Sequence, residues 1–240
     1  SPSFSGVKDV REALARAERG GMLNPRELLT IAGLLTNSRR VREYYEADQG
    51  EGTVLDRMFA SLHANRFLED KITTSILSED EIADAASPEL ADIRRHKRAA
   101  SAKGRQILQK IISSNQSKYL QESIITMRSG RYVVPVKSEC KNDVPGLVHD
   151  VSATGSTYFV EPMSAVNANN ALRELELKEK KEIERILAEL SAEAAGYRSA
   201  IDLDYQLLVQ LDVIFAKAKL SYQMRAGEPI MNEKGRVELR

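Results

Sequence analysis

The sequence has a single cysteine, Cys140, and no tryptophan among its 240 residues. One cysteine excludes a disulfide framework and any Cys-based zinc site. Such a chain fits a reducing compartment and is expected to be cytoplasmic. Glycine (13) and proline (7) are sparse, which argues against a turn-rich all-β protein and against disorder. Net charge is also missing: 35 Lys and Arg balance 35 Asp and Glu. That excludes a uniformly basic nucleic-acid binder but leaves room for a local basic face. No apolar run is long enough to cross a membrane as a helix. The chain starts at Ser1, with no charged and apolar leader behind it, and reads as an excised fragment without a targeting signal. Neither glycine-rich nucleotide signature occurs, and there is no G-x-S-x-G elbow. No cofactor is therefore expected to bind this segment.

What is present is helical periodicity. Hydrophobic residues make up 42% and charged residues 29%, as in long solvated helices. Residues 1–86 read as a helical core. Val7, Val10, Leu14 and Ala17 form one stripe, and Gly20-Gly21 stops it. Asn24 caps the next helix, with Pro25 at its first position. Residues 47–53 form a loop, and Val54 to Leu77 repeats the helical pattern. This zone has 11 basic and 15 acidic residues.

Ser87-Pro88-Glu89 is a strong helix start. Residues 87–128 are expected to form an outgoing helix with a seam at Leu90, Ile93, Lys97, Ala100, Gly104, Ile107 and Ile111. Its weak spot is Ser113 to Ser117. Residues 129–163 read as a small antiparallel sheet of three strands, with Pro135 on an edge or at a bulge. Residues 164–226 return as a helix whose seam runs from Ile183 to Tyr222, with a bend at Gly196. Forty and sixty residues of helix would span about 60 and 90 Å. The expected fold is mainly α: a helical core, a long antiparallel two-helix lever resembling a coiled coil, and a β-sheet at its tip. The tail, 227–240, reads as a strand-forming linker toward a further domain.

The outgoing segment carries nine basic and three acidic residues, whereas the return segment carries nine and ten. Arg94, Arg95, Lys97, Arg98, Lys103 and Arg105 make the outgoing helix a candidate phosphate-backbone surface. The competing reading is a solvated helix whose cations pair with Glu174 to Glu184 on its partner. On the sheet, Arg131, Lys137 and Lys141 are further candidates. Lys, Asn and hydroxyl side chains on a hairpin touch phosphates without reading bases. The charge balance there, three basic to four acidic, leaves a plain capping sheet as the alternative. His149-Asp150 invites a metal or acid–base role, but successive strand residues point to opposite faces. No second His–carboxylate pair exists to complete such a site. No catalytic or metal residue is expected.

The block Gly130-Arg-Tyr-Val-Val-Pro-Val-Lys137, then Gly146-Leu-Val-His-Asp150, Ser152, Thr154-Gly155, Thr157, Phe159-Val-Glu-Pro162 and Asn169-Asn170, resembles the bacterial MutS-two family. Ser3 to Val10 and Pro229 to Arg236 resemble it as well. The resemblance implies a core, a lever and a clamp-like tip. Its members are homodimers that hydrolyse ATP, with Mg, through a domain placed after this segment. They also carry a small MutS-related nuclease domain. Branched DNA in recombination control and stalled or collided ribosomes are the partners it implies. Both enzymatic modules lie outside this segment, so neither activity carries over and the fragment is expected not to be an enzyme. Two roles remain open: a nucleic-acid-engaging lever and clamp coupled to nucleotide-driven motion, or a spacer contacting a ribosome or the second protomer.

Overall fold

The computed structural model describes residues 2–47, 52–227 and 233. The chain is mainly helical with small antiparallel sheets. Helices α1 (Arg11–Glu18), α2 (Pro25–Ala47), α3 (Asp56–Ala60) and α4 (Arg66–Ser75) lead into a two-stranded ribbon, β1 (Ile76–Ser78) and β2 (Glu81–Ile82). Helix α5 (Pro88–Ile112) follows, then β3 (Thr126–Arg128), β4 (Arg131–Lys137), β5 (Gly146–Val151) and β6 (Thr157–Pro162). Helices α6 (Val166–Gly196) and α7 (Arg198–Met224) complete the order. The chain forms two compact units, Ser1–Thr73 with Ala188–Arg240, and Thr74–Leu187.

Among the described residues the first unit is built from helices. Asn24 and Glu27 form a reciprocal capping box: the Glu27 N–H donates to Asn24 Oδ1, and the Asn24 N–H to Glu27 Oε2, both at 2.9 Å. Two orphan donors at the start of α2 are thereby satisfied. The expected helix over Val54 to Leu77 is instead two helices. Asn65 accepts the Leu68 N–H at 3.0 Å and so starts α4 afresh, as short polar side chains do at helix starts. Leu28, Ile31, Leu35, Ile72, Leu190 and Leu208 are among the fully or nearly fully buried residues. Part of the expected 47–53 loop, residues 48–51, and most of the 227–240 tail lie outside the described residues.

The second unit is a sheet on a helix pair. Ser87 caps α5 by accepting the Leu90 N–H at 3.0 Å, and Pro88 is the first helical residue. The expected helix to residue 128 stops at Ile112. There the Ser113 hydroxyl donates to the Gln109 carbonyl, and the Ser114 hydroxyl accepts the Gln116 N–H. Serine side chains competing for backbone partners end the helix, and the next residues form a 3₁₀ turn over Asn115–Tyr119.

The sheet has four strands in the order β3-β4-β6-β5, all antiparallel, not three. The unforeseen strand, β3, joins β4 through Ser129-Gly130, both at positive φ (53° and 73°). That is the hairpin turn whose twist matches paired strands. Pro135 faces β6, while on its other side β3 pairs only residues 131–133. The missing proline donor thus falls where the ladder is interrupted. Leu108 of α5 packs with Tyr132, Val134, Val136 and Val160 of the sheet and with Leu172 of α6. Gly104 permits this approach, since a Cβ there would lie 3.1 Å from Tyr132 Cδ2.

The expected return helix is two: α6 ends at Gly196 and α7 begins at Arg198. The seam positions from Ile186 to Leu211 are mostly buried, but Tyr222 is 89% exposed.

Candidate nucleic-acid interface

Helices α5 and α6 run antiparallel in the second unit. Ser87 bonds Glu182, whereas Arg94 and Lys97 bond Glu179, so partners descend along α6 as α5 ascends. Glu179 takes the Arg94 Nε–H at 2.7 Å and Lys97 Nζ at 2.6 Å. Burial alone would push this carboxyl up, but the two cations outweigh it and hold it below the usual range. Arg94 also donates to the Ile82 carbonyl and to Asp84. Two of the six candidate cations on α5 are therefore engaged in holding helix to helix.

The other four turn outward. Arg95 pairs with Asp92 one turn back and Arg98 lies 3.6 Å from Asp84, yet both side chains are largely exposed. Lys103 and Arg105 are exposed. The Arg105 guanidinium lies over the Tyr132 ring, 5.9 Å from its centroid, which leaves its outer face free for an anion.

Beside these cations lie two adjoining cavities of about 510 and 560 Å³ that share Ala102 and Arg105. One wall is a single face of α5, from Arg94 to Ile112, marked by Arg98, Arg105 and Gln109. The facing wall is Ser123, Ile125 and Met127. Their spacing of two puts them on one side of an extended segment. Near Arg94 the groove closes against Leu172, Glu176 and Glu179 of α6.

The sheet carries the remaining candidates. Lys137, at the end of β4, is half-buried, and Lys141 is exposed with its ammonium 5.1 Å from the Tyr158 ring centroid. Arg131 turns inward instead. It donates to Glu161 and to Asn170, each at 2.6 Å. Glu161 is completely buried. It also meets His149 Nε2 at 2.5 Å and accepts from Asn169 Nδ2 at 2.9 Å. Burial raises this carboxyl, but His149, Asn169 and the Arg131 charge hold it below the usual range. Asn169 in turn accepts the Tyr132 N–H and donates to the Tyr132 carbonyl. One carboxylate thereby ties β4, β5, β6 and α6 together.

His149 reaches Glu161 through a bulge. Val148 pairs with Val160 and Asp150 with Phe159, which leaves His149 as the extra residue. Asp150 goes elsewhere, to Arg128 at 3.2 Å. Among the described residues no group of three or more His, Cys, Asp or Glu side chains could hold a metal ion. Sequence reasoning missed the groove-lining segment 123–127. The Ser129-Gly130 turn signal pointed to a strand before it.

No protein-family model matches the chain. It is 45% identical over 240 residues to Endonuclease MutS2 of Ruminiclostridium cellulolyticum, covering 99% of this chain and 30% of that protein. It is 44% identical over 241 residues to Endonuclease MutS2 of Acetivibrio thermocellus, with the same coverage. The Clostridium perfringens (strain SM101) protein of that name matches 100% of this chain, again at 44% identity. The chain is thus homologous over its whole length to a region of Endonuclease MutS2, and it spans about 30% of the length of these relatives. No helix among the described residues is long and apolar enough to cross a membrane.

Proposed function

We propose that this chain is the non-catalytic core, lever and clamp-like region of a MutS2-type protein, and that it engages nucleic-acid backbone without reading sequence. The core is residues 1–86, the lever is the outgoing and return helical segments 87–128 and 164–226, and the clamp-like element is the sheet of 129–163. The observation that carries this reading is homology over the whole chain to one region of proteins named as endonucleases. The outward cations on α5 and the sheet support it: Arg95, Arg98, Lys103, Arg105, Lys137 and Lys141. Arg94, Lys97 and Arg131 hold the scaffold in this picture and touch phosphate only secondarily. In a longer protein, ATP-driven motion elsewhere reaches the sheet through α5 and α6, because packed helices transmit displacement with little internal compliance.

The test is fluorescence anisotropy with labelled duplex, single-stranded and four-way-junction DNA at about 50 and 200 mM salt. Binding that weakens steeply with salt is the expected result, and no binding at the lower salt overturns the reading.

A second reading is favoured by α7. Val209, Val213, Leu220 and Met224 are exposed at spacings of 4, 7 and 4, which makes one apolar stripe. Such a stripe suits an interaction module that contacts the second protomer or a ribosome. Sedimentation of wild type and of Val213→Glu, alone and with ribosomes, separates the two. A defined association lost in the variant, with no DNA binding, would favour the interaction module.

A further inference from the structure

The groove beside α5 has the length, charge and two-sided chemistry of a site for one extended strand. The nineteen-residue helical face from Arg94 to Ile112 is about 27 Å long. That is room for roughly eight nucleotides at the rise of one duplex strand, and for fewer when the strand is stretched. From Ile93 to Gln121 the sequence contains eight Lys and Arg and no carboxylate. The two carboxylates that reach the groove come from α6, and both are already paired: Glu179 with Arg94 and Lys97, Glu176 with Arg173 at 3.2 Å. The open stretch past Arg98 is therefore positive.

The opposite wall decides between nucleic-acid forms. Ile125 and Met127 face the groove as apolar rungs. A duplex hides its base faces and has little to offer them. A single strand presents both an anionic backbone and exposed base faces, the pairing that single-strand grooves use. Arg105 is braced on Tyr132, and its free face can stack on a base as well as bind phosphate.

We propose that this groove holds a single nucleic-acid strand, with its phosphates along Arg98 and Arg105 and its bases against Ile125 and Met127. This rests on the nucleic-acid reading above and sharpens it to a ligand form and a place.

The test compares labelled oligothymidine with a duplex of equal length, on wild type, Ala102→Glu, Arg98→Ala with Arg105→Ala, and Lys137→Ala with Lys141→Ala. Ala102 is exposed and common to both cavities, so its replacement puts a carboxylate at the midpoint without burying it. Ala102→Glu should weaken the single strand by about tenfold or more and change the duplex by less than about twofold. The double arginine variant should also flatten the salt dependence for the strand, while the sheet variant weakens strand binding less than the arginine variant does. Strand binding indifferent to Ala102→Glu and to the arginine variant, while duplex is still bound, overturns the groove and leaves the broader reading standing. Loss of all DNA binding in wild type overturns both. Displacement of the strand by polyglutamate as readily as by unlabelled oligothymidine reassigns the groove to an acidic peptide and overturns the proposal.

Discussion

Glu161 in the sheet unit and Asp204 in the helical unit are both completely buried, yet their carboxyl groups are driven in opposite directions. Glu161 has three side-chain partners, two of them basic, and is held below the usual range against the pull of burial. Asp204 is pushed up by burial, which a backbone hydrogen bond from His63 at 2.8 Å does not offset. The Ser38 hydroxyl and the His63 ring, 3.5 Å from Oδ1, pull the carboxyl down as well, and burial still outweighs them. Burial pushes both carboxyls up, and only at Glu161 do the donors and charges aimed at the group outweigh it. The sheet unit has built a charged clasp, whereas the helical unit tolerates an acid better neutral.

Breaking the clasp gives the largest effect. Glu161→Ala leaves the Arg131 guanidinium without its counter-charge and takes a hydrogen-bond partner from His149 and Asn169, and should cost about 3–5 kcal/mol. The readout is amide hydrogen exchange in β4 and β6, which should rise sharply while α2 keeps its protection. Equal protection in the variant would mean the sheet stands without the clasp.

Asp204→Asn tests the other half, with opposite sign and smaller size. The folded value of Glu161 is depressed, so its contribution is present above the unfolded value of about 4.3 and is lost as pH falls through the folded value. The folded value of Asp204 is raised, so its cost is absent below about pH 3.9 and grows as pH rises through the folded value. Asn keeps an acceptor for the His63 N–H and never ionises. The variant should be more stable than wild type at neutral pH, and the gain should vanish below about pH 4. Urea midpoints across that range measure it. A variant less stable at every pH would mean the carboxylate is worth more than its burial costs.

Much of this scheme was legible in sequence because it is local. Ser87-Pro88 and Asn24-Pro25 mark helix starts that depend only on neighbouring residues, and the structure has caps at both. The three expected strands all occur, since their alternation and turn residues are local too. What the sequence hid depends on partners far along the chain. The 3–4 spacing continues to Ile111, one residue before the helix ends at Ile112, and so gives no sign of that end. Arg94, Lys97 and Arg131 are indistinguishable in sequence from Arg105. Only the positions of Glu179 and Glu161 reveal which cations are spoken for. His149 was weighed on regular alternation, and a bulge carries it to Glu161 instead.

The smallest effects come from the two caps, and they refine the same contrast. The Asn24 side chain in the helical unit caps its own helix by accepting the Glu27 N–H. Ser87 in the sheet unit caps α5 and also donates its hydroxyl to Glu182 of α6 at 2.8 Å. Either change to Ala should remove about 1 kcal/mol as a lost cap. Ser87→Ala should cost more than that, because the buried Glu182 loses a donor across the helix pair. Arg185, which pairs with Glu182 at 2.7 Å, limits the excess, since the carboxylate keeps its counter-charge. A Ser87→Ala, Glu182→Gln double-mutant cycle isolates the cross-helix part. Coupling near zero would reduce Ser87 to a cap like Asn24, while a clear coupling would show that this cap also fastens α5 to α6.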